Sequence, residues 1–435
     1  MIRRLIATTI ALATLAAPIA SQAYGNGTGF KTGSCEYPAG TPLPGSGALL
    51  EVGNGGYASI QSAVDDASEG DTILIHPGIY YEKVVVATPG LRIRGTDRDQ
   101  VILDGEFTKN FGFDVNADRV VLENMTGRNY RDTAFWWLSV TGYWGRYLTA
   151  YNNGRYGVYA YDARCGQMDN SYASGNADSG FYIGECYPCD AVITDVEAAE
   201  NALGYSGTNA GGNLLLKDSS WHDNALGIVP NSLDGEAGPP QRGVTIENNT
   251  IIDNSRIDAP GVGIAALFYG VGIAIAGGSS NHVIGNEIRG HEMAGIVLAP
   301  LPDQFLYVPA GNTIWGNTVS DSGLADLAQG ASSGPGNCWD HNTYESTAPE
   351  LLETVWGCTN NDPDTPKLPF YSGITPPGGD PRVEVGLIEG FAGVNGRVVS
   401  DWKTWPAPTC ASAASSCVDM PHGLGAVEAW LPALL

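Results

Sequence analysis

Short apolar strands and glycines recur along the chain at a nearly constant interval. Glycines that precede alternating apolar residues are separated by 23, 24, 23, 45 and 23 residues. These glycines are Gly157, Gly180, Gly204, Gly227, Gly272 and Gly295. A period of about 20 to 25 residues with strand alternation is typical of β-solenoids, whereas helical repeats are longer. The pattern predicts an all-β, single-stranded parallel solenoid with roughly 23 residues per coil.

Each coil also contains a short apolar strand that ends in Asn or Asp, as in Met168-Asp-Asn170 and Ile246-Glu-Asn-Asn249. Asn adopts the left-handed backbone of a tight corner readily, and stacked amides can bond from coil to coil. We expect about eleven coils, which at a step of ~4.8 Å make a rod roughly 50 Å long. Residues 243–280 and 297–311 depart from the period, so we expect loops there.

The solenoid is expected to span residues 52–358, after an extension at 24–51. Ser59 can cap a short amphipathic helix whose apolar side is Ile60, Ala63, Val64 and Ala67, and this helix can close the open end of the core. Residues 359–435 lose the repeat, are rich in Pro and Gly at first, and predict an irregular tail.

Residues 1–23 have the pattern of a secretory signal peptide, with a basic start, an apolar run and a small-residue cleavage site. Secretion to the extracellular space or the cell envelope is therefore expected. The run is short and contains Pro18, and no later run is long enough to span a bilayer, so no membrane span is expected.

Composition and charge narrow the class of partner. The 58 glycines among 435 residues fit many turns, and 43% hydrophobic residues are enough for a core. The net charge of −25, with no basic cluster, argues against nucleic acid and against anionic polysaccharides unless a cation bridges them. Neutral glycans are favoured instead.

The stretch Asp71-Thr-Ile-Leu-Ile-His76, the turn Pro77-Gly78 and the strand at 82–86 resemble the start of pectin lyase-like right-handed β-helix proteins and of pectin methylesterases. The segments 179–189 and 199–205 are similar to secreted bacterial right-handed parallel β-helix repeat proteins, a branch with no established activity. The resemblance implies right-handed coils and work on polysaccharides. It implies no mechanism, because the catalytic motifs of pectin methylesterases, polygalacturonases and pectate lyases find no match here.

Residues one period apart should stack in columns along the rod. The positions after the repeat glycine predict an inward column: Phe135, Val158, Phe181, Tyr205, Ile228, Ile273 and Ile296. One place further, Trp136, Tyr159 and Tyr182 should point outward, with Tyr161 nearby. Exposed aromatics at this spacing can stack against sugar rings. The alternative is a ladder that only stabilises its sheet.

Charged columns lie beside these aromatics. Asp132, Arg155 and Asp178 should stack two places before the glycines, either as a surface charge ladder or as groups that bind sugar hydroxyls. Asp162 and Glu185 fall on adjacent coils, where they are either solvated corner residues or a carboxyl pair about 5 Å apart, the separation in retaining glycosidases. These four acids are the catalytic candidates, with Arg155 in support.

A further corner column should contain Asn153, Asn176, Glu200, Asp223 and His291. The histidines His222 and His291 lack the spacing of zinc ligands, so we expect no metal site and no cofactor, with a bridging calcium left open.

Eight cysteines in a secreted chain predict disulfides. The spacing favours Cys165–Cys189, with Cys165–Cys186 as the alternative and Cys35 paired to the remaining member of that group. Cys338–Cys358 should close the last coil, and Cys410–Cys417 a loop in the tail.

The sequence thus indicates a secreted monomer that acts on or binds extracellular polysaccharide. It would be a polysaccharide lyase or glycosidase, or alternatively a non-catalytic carbohydrate-binding or structural module.

Overall fold

The structure is a computed structural model that describes Cys35 and residues 40–261, 267–358, 379–394 and 401–407. The expected leader, 1–23, and the expected pair Cys410–Cys417 lie outside these residues. The described residues form three α-helices, α1 (Ile60–Asp66), α2 (Leu352–Val355) and α3 (Pro381–Val394), and 33 strands.

The first eleven strands are β1 Leu49–Val52, β2 Thr72–Ile75, β3 Gly78–Tyr80, β4 Val84–Val86, β5 Arg92–Gly95, β6 Val101–Asp104, β7 Phe111–Val115, β8 Val120–Arg128, β9 Thr133–Leu138, β10 Thr141–Tyr151 and β11 Val158–Tyr161. The next eleven are β12 Arg164–Asp169, β13 Tyr172–Ser174, β14 Ser179–Gly184, β15 Ala191–Thr194, β16 Glu197–Ala199, β17 Leu203–Thr208, β18 Gly211–Lys217, β19 Ser220–His222, β20 Leu226–Asn231, β21 Arg242–Glu247 and β22 Thr250–Ile252. The last eleven are β23 Val271–Ala276, β24 His282–Ile284, β25 Glu287–His291, β26 Ala294–Ala299, β27 Leu301–Pro302, β28 Leu306–Tyr307, β29 Thr313–Trp315, β30 Thr318–Ser322, β31 Ala325–Gln329, β32 Cys338–Asp340 and β33 Thr347–Ala348.

The strands stack coil upon coil in two parallel sheets of 20 and 11 strands, which we name sheet A and sheet B. A coil such as the one from β12 to β14 places two strands in sheet A, on either side of a sharp corner, and one strand in sheet B. Only β27 and β28 pair antiparallel among the named strands. The eleven strands of sheet B agree with the expected number of coils.

The core is the inward column that the glycine spacing predicts. In sheet B, Phe135 pairs with Val158, Val158 with Phe181, and Phe181 with Tyr205. The column continues through Ile228, Ile273 and Ile296, and all seven side chains are fully buried. This prediction is confirmed. Burial of each such side chain contributes about 1.5–3 kcal/mol, so the core holds the coils together along their whole length.

Buried asparagines link successive coils at one corner. The side-chain nitrogens of Asn153, Asn176, Asn201 and Asn224 each donate to the side-chain oxygen of the next member, ending at Asn254, over 2.8–3.1 Å. The expected column was wrong at Glu200 and Asp223, which precede the ladder residues by one position and adopt left-handed backbone angles. In those two coils the turn between the ladder asparagine and the repeat glycine is one residue shorter. Counting the same number of places back from the glycine therefore reaches the residue before the asparagine.

The N-terminal end of the core is closed as expected. Ser59 caps α1 by accepting a hydrogen bond from Ser62 N, and Ile60, Ala63 and Val64 are buried. The coils begin three residues earlier than predicted, because Leu49 of β1 already pairs with β2.

The tail, which was expected to be irregular, contains regular structure. It contains α3, in which Val383 packs into an apolar cluster on the outer side of sheet B, and a 3₁₀ helix at Trp402–Thr404. Trp405 binds the coils directly, since its carbonyl accepts from Asn152 Nδ2 at 2.6 Å and its ring lies under the Arg256 guanidinium. No helix among the described residues is long and apolar enough to cross a membrane.

The disulfides correct one expectation and confirm another. Cys186 pairs with Cys189, and Cys165 pairs with Cys35, whereas Cys165–Cys189 and Cys165–Cys186 were expected. Cys165 and Cys189 do lie on neighbouring coils, but the turn through Tyr187 and Pro188 brings the Cα atoms of Cys186 and Cys189 within 4.8 Å. Cys338–Cys358 forms as predicted.

Replacement of Asn224 by Ala tests the ladder. The substitution removes the acceptor of the buried Asn201 backbone N–H, and it removes the hydrogen bonds that the Asn224 amide donates to Asn254 and to the Ala198 carbonyl. We therefore expect the free energy of unfolding to fall by about 1–3 kcal/mol. Urea unfolding followed by circular dichroism measures it. Asn116→Ala, at an exposed position, is the control and should stay within about 0.5 kcal/mol of wild type. Equal effects of the two substitutions would show that the ladder does not stabilise the coils.

Candidate functional site

An aromatic column stands on the outer side of sheet B. Trp136, Tyr159 and Tyr182 pair in register through β9, β11 and β14, as the spacing predicts. The rings of Trp136 and Tyr159 are stacked with centroids 5.9 Å apart, and those of Tyr159 and Tyr182 meet edge to face at 4.8 Å. Tyr161 also contacts Tyr159 edge to face. The four side chains therefore form one aromatic surface.

The expectation of three exposed rings was wrong for two of them. Tyr159 is 9% exposed and Tyr182 is 2% exposed, whereas Trp136 and Tyr161 are half-buried. The cause is Tyr156, which the spacing did not single out: its ring centroid lies 4.5 Å from that of Tyr159 and 4.7 Å from that of Tyr182. We name these five side chains, Trp136, Tyr156, Tyr159, Tyr161 and Tyr182, the aromatic cluster.

A loop between β20 and β21 brings a carboxyl group to this cluster. The hydroxyl of Tyr182 donates to both oxygens of Glu236, at 2.9 and 3.1 Å. The amide of Asn209 holds the loop by donating to the carbonyls of Leu233 and Glu236. Ala237 N donates to Glu185 Oε1. The loop thus brings Glu236 into one site with Tyr182 and Glu185, which lie at one end of β14 and are distant from Glu236 in sequence.

Sequence reasoning missed Glu236. The double spacing between Gly227 and Gly272 signals an insertion, but the predicted position, 243–280, was wrong in part. Among the described residues, the extra residues lie outside the strands at 232–241, at 253–261 and at 267–270, and β21 and β22 separate the first segment from the other two. No periodic signal indicates where a loop side chain points.

Burial and charge tune the acidity of the site. Burial, with the charges of Glu185 and Asp178, raises the pKa of Glu236 to about 7, although the Tyr182 hydroxyl and Arg155 oppose the shift. Burial also raises the pKa values of Tyr156, Tyr159 and Tyr182, and the charge of Glu236 adds to each. At neutral pH the hydroxyl groups of these tyrosines are protonated and can donate hydrogen bonds. The Glu236 carboxyl is close to its pKa and can therefore either hold or release its proton.

The charged row beside the cluster is in register as expected. Arg155 N donates to Asp132 O and Asp178 N to Arg155 O, both at 2.9 Å. The Arg155 guanidinium lies 3.8 Å from an Asp132 oxygen and 5.1 Å from the Tyr156 ring centroid. Burial raises the pKa of Asp178, although Ser179 and Arg155 oppose the shift. The row and the aromatic cluster therefore share one surface.

The other candidate acids occupy corresponding corners with left-handed backbone, φ 49° at Asp162 and 54° at Glu185. Their side chains turn to different partners. Asp162 is exposed and accepts from Ser139 Oγ at 2.9 Å, whereas Glu185 accepts from the 232–241 loop. Of these two corner acids, Glu185 is the one whose charge acts on Glu236, so we take Glu185 and Glu236 as the carboxyl pair of this site.

His222, whose spacing does not match that of zinc ligands, is hydrogen-bonded to two carboxylates. Burial lowers the pKa of His222, but hydrogen bonds to Glu197 and Asp223 raise it, to about 9 overall, so His222 is a cation at neutral pH. Among the described residues, one group of three potential ligands lies close together, Cys35, Cys165 and Asp190. Its two sulfurs are joined in a disulfide and are not thiolates.

Residues 145–361 match the family model described as "Right handed beta helix region". With the parallel coils above, this match identifies the region as a right-handed parallel β-helix. No curated protein matches the chain.

Several solved structures share the fold. The A-module of mannuronan C-5 epimerase AlgE6 from Azotobacter vinelandii is 18% identical, with a TM-score of 0.46 over 66% of this chain and 86% of that chain. The pectate lyase Pel9A is 15% identical, with a TM-score of 0.41 over 69% and 79%. The catalytic domain of a GH87 alpha-1,3-glucanase is 13% identical, with a TM-score of 0.40 over 71% and 70%. These are likenesses of fold alone.

The raised pKa of Glu236 predicts a pH-dependent difference in stability between wild type and Glu236→Gln. In the folded chain the carboxyl titrates near 7, against 4.5 for an unperturbed Glu. The stability from the bound proton is fully present below 4.5 and is lost as pH rises through about 7. Relative to the Gln variant, wild type should therefore become less stable across this window.

Urea unfolding of both proteins on either side of the window measures the difference. Glu350→Gln, at an exposed glutamate, is the matched control and should show no such change. A difference between wild type and Glu236→Gln that is independent of pH would contradict the raised pKa.

Proposed function

We propose that this protein binds a neutral polysaccharide at the aromatic cluster and hydrolyses a glycosidic bond, with Glu236 as general acid. The observation that carries the proposal is the position of Glu236: it is hydrogen-bonded to Tyr182 at the edge of the cluster, with a pKa raised to about 7. A carboxylic acid that keeps its proton near neutral pH is what protonation of a leaving group needs.

Sugar binding is supported by the half-buried rings of Trp136 and Tyr161, which can stack against the apolar faces of sugar rings. Asp132, Arg155 and Asp178 offer further hydroxyl partners. The acids of the site favour a neutral substrate over a uronate, whose carboxylate they would repel.

The hydrolysis proceeds in balanced steps. Glu236 gives its proton to the glycosidic oxygen as the bond from that oxygen to the anomeric carbon breaks, and the leaving sugar departs as an alcohol. Water supplies the hydroxyl at the anomeric carbon. If the water attacks directly, Glu185 takes its proton; if Glu185 first forms a covalent bond to the anomeric carbon, the Glu236 carboxylate takes the proton of the water that breaks that bond. The protonated tyrosines can donate hydrogen bonds but do not accept the proton, which disfavours a tyrosine base of the lyase type.

The three disulfides of the described residues support our assignment of the chain to an oxidising, extracellular or cell-envelope compartment.

A second candidate function is binding without turnover. The observation in its favour is that the groups needed for chemistry already bind each other: Glu236 accepts from Tyr182, and Glu185 accepts from Ala237 N. A site held closed in this way would recognise glycans at Trp136 and Tyr161 alone.

Glu236→Gln separates the two functions. We expect release of reducing ends from a neutral polysaccharide to fall about 10²–10⁴-fold, because the variant has no proton to give, while affinity for the glycan is retained. Reducing-sugar assays and calorimetry measure turnover and affinity. Glu350→Gln should match wild type in both.

Binding itself is tested with Trp136→Ala and Tyr161→Ala, which remove the two accessible rings. Circular dichroism checks that each variant folds. Unchanged affinity in both, or binding of uronates in preference to neutral glycans, would reject the proposed substrate class. Glycan binding by wild type without product release would establish the second candidate.

A further inference from the structure

An exposed apolar tip stands beside the loop that carries Glu236. The hairpin formed by β27 and β28 presents Phe305 and Leu306, which are 68% and 59% exposed. These side chains are adjacent, and contiguous exposed apolar surface is a feature of interaction sites. We propose that this tip is a second contact for the same neutral glycan, so that the protein binds an extended chain. This inference rests on the proposed function and deepens it.

Asp234 fixes the hairpin to the Glu236 loop. Its backbone N donates to Asp303 Oδ2 at 2.8 Å, and its carboxylate accepts from Phe305 N at 2.9 Å and from the hydroxyl of Tyr307. Two residues of chain span at most about 7 Å, so Glu236 lies close to this junction. The exposed tip and the general acid therefore belong to one hydrogen-bonded assembly.

The tip and the aromatic cluster lie at opposite ends of this assembly. From β14, which carries Tyr182, sheet B passes through β17, β20 and β23 to β26, which the hairpin follows directly. At ~4.8 Å per strand, β20 and β26 lie roughly 10 and 19 Å from β14 along the rod. The tip follows β26 and is bonded to Asp234 after β20, so the separation is the length of two or more linked sugars rather than one. A glycan that lies across both ends would place an internal bond near Glu236.

The loop that carries Glu236 is open to solvent on either side of this residue. Gly235 and Gly238 flank Glu236 closely in the loop, and a Cβ atom added at either position would meet no other atom within 4 Å. The centre of sheet B offers no such path, because its outward side chains Val229 and Ala274 are fully buried. The exposed surface that connects the cluster to the hairpin is therefore the surface of this loop.

The chemistry of the tip fits a glycan better than a protein partner. Phe305 and Leu306 stand next to the carboxylates of Asp234 and Asp303, which can accept hydrogen bonds from hydroxyls. Apolar faces with hydroxyl edges are the surface of a neutral sugar. A stable protein interface needs about 800 Å² per partner, far more than two side chains supply.

The experiment measures affinity against chain length with laminari-, cello- and malto-oligosaccharides, from disaccharide to hexasaccharide. For Phe305→Ala we expect the affinity for the longest chains of the preferred series to fall about 3- to 10-fold, because one ring contact is lost, with the shortest chains unaffected. Phe305→Tyr should restore the dependence on length. Leu351→Ala removes a side chain of similar exposure, 67%, after the last strand, and is the matched control.

Two results would overturn the inference while leaving the proposed function intact. One is glycan binding by wild type with the same length dependence in Phe305→Ala. The other is a change in oligomeric state of Phe305→Ala in analytical ultracentrifugation, which would assign the tip to contacts between copies of this chain. Wild type that binds none of the oligosaccharides would overturn the proposed function and the inference together.

Discussion

Register between successive coils is the constraint on which the rest of this protein depends. Parallel backbone hydrogen bonds set each strand over the one before it, and the buried asparagine ladder repeats that alignment with side chains. A coil displaced by one residue would turn its apolar side chains to solvent and leave several buried amides unpaired, at about 1–3 kcal/mol each. Because every coil contributes to this cost, the register is maintained along the rod. Residues about one coil apart in sequence, such as Tyr159 and Tyr182, are therefore in contact.

The candidate site forms where a loop interrupts the regular succession of strands. Within the coils, outward aromatics at one column make a surface that is apolar although it lies outside the core. Loop residues do not pair in register with the neighbouring coils, and one loop places a carboxyl group against that surface. The same loop is tied to a neighbouring coil by Asn209 and to the β27–β28 hairpin by Asp234. A rigid rod thus positions loop residues that no repeat specifies.

The electrostatics follow from the same arrangement. Packing of Tyr156 over Tyr159 and Tyr182 removes water from the outer face, and a carboxyl group placed there is harder to ionise. Glu185 and Asp178, which flank β14 on one coil, add negative charge, while Arg155 on the preceding coil supplies the opposing charge. The acidity of Glu236 is therefore a property of several coils together and not of its own loop.

The sequence by itself determined the coil length, the inward column, the capping helix at Ser59 and the alignment of Trp136, Tyr159 and Tyr182, because a solenoid converts a period in sequence into contact in space. It also determined Cys338–Cys358. Only the tertiary structure decided that Tyr182 is covered, that Cys186 bonds Cys189, and that Glu236 and not Asp162 accompanies Glu185. These outcomes depend on where loops and turns fold back, and that direction is set by packing and hydrogen bonds between distant residues, which leave no periodic trace in the chain.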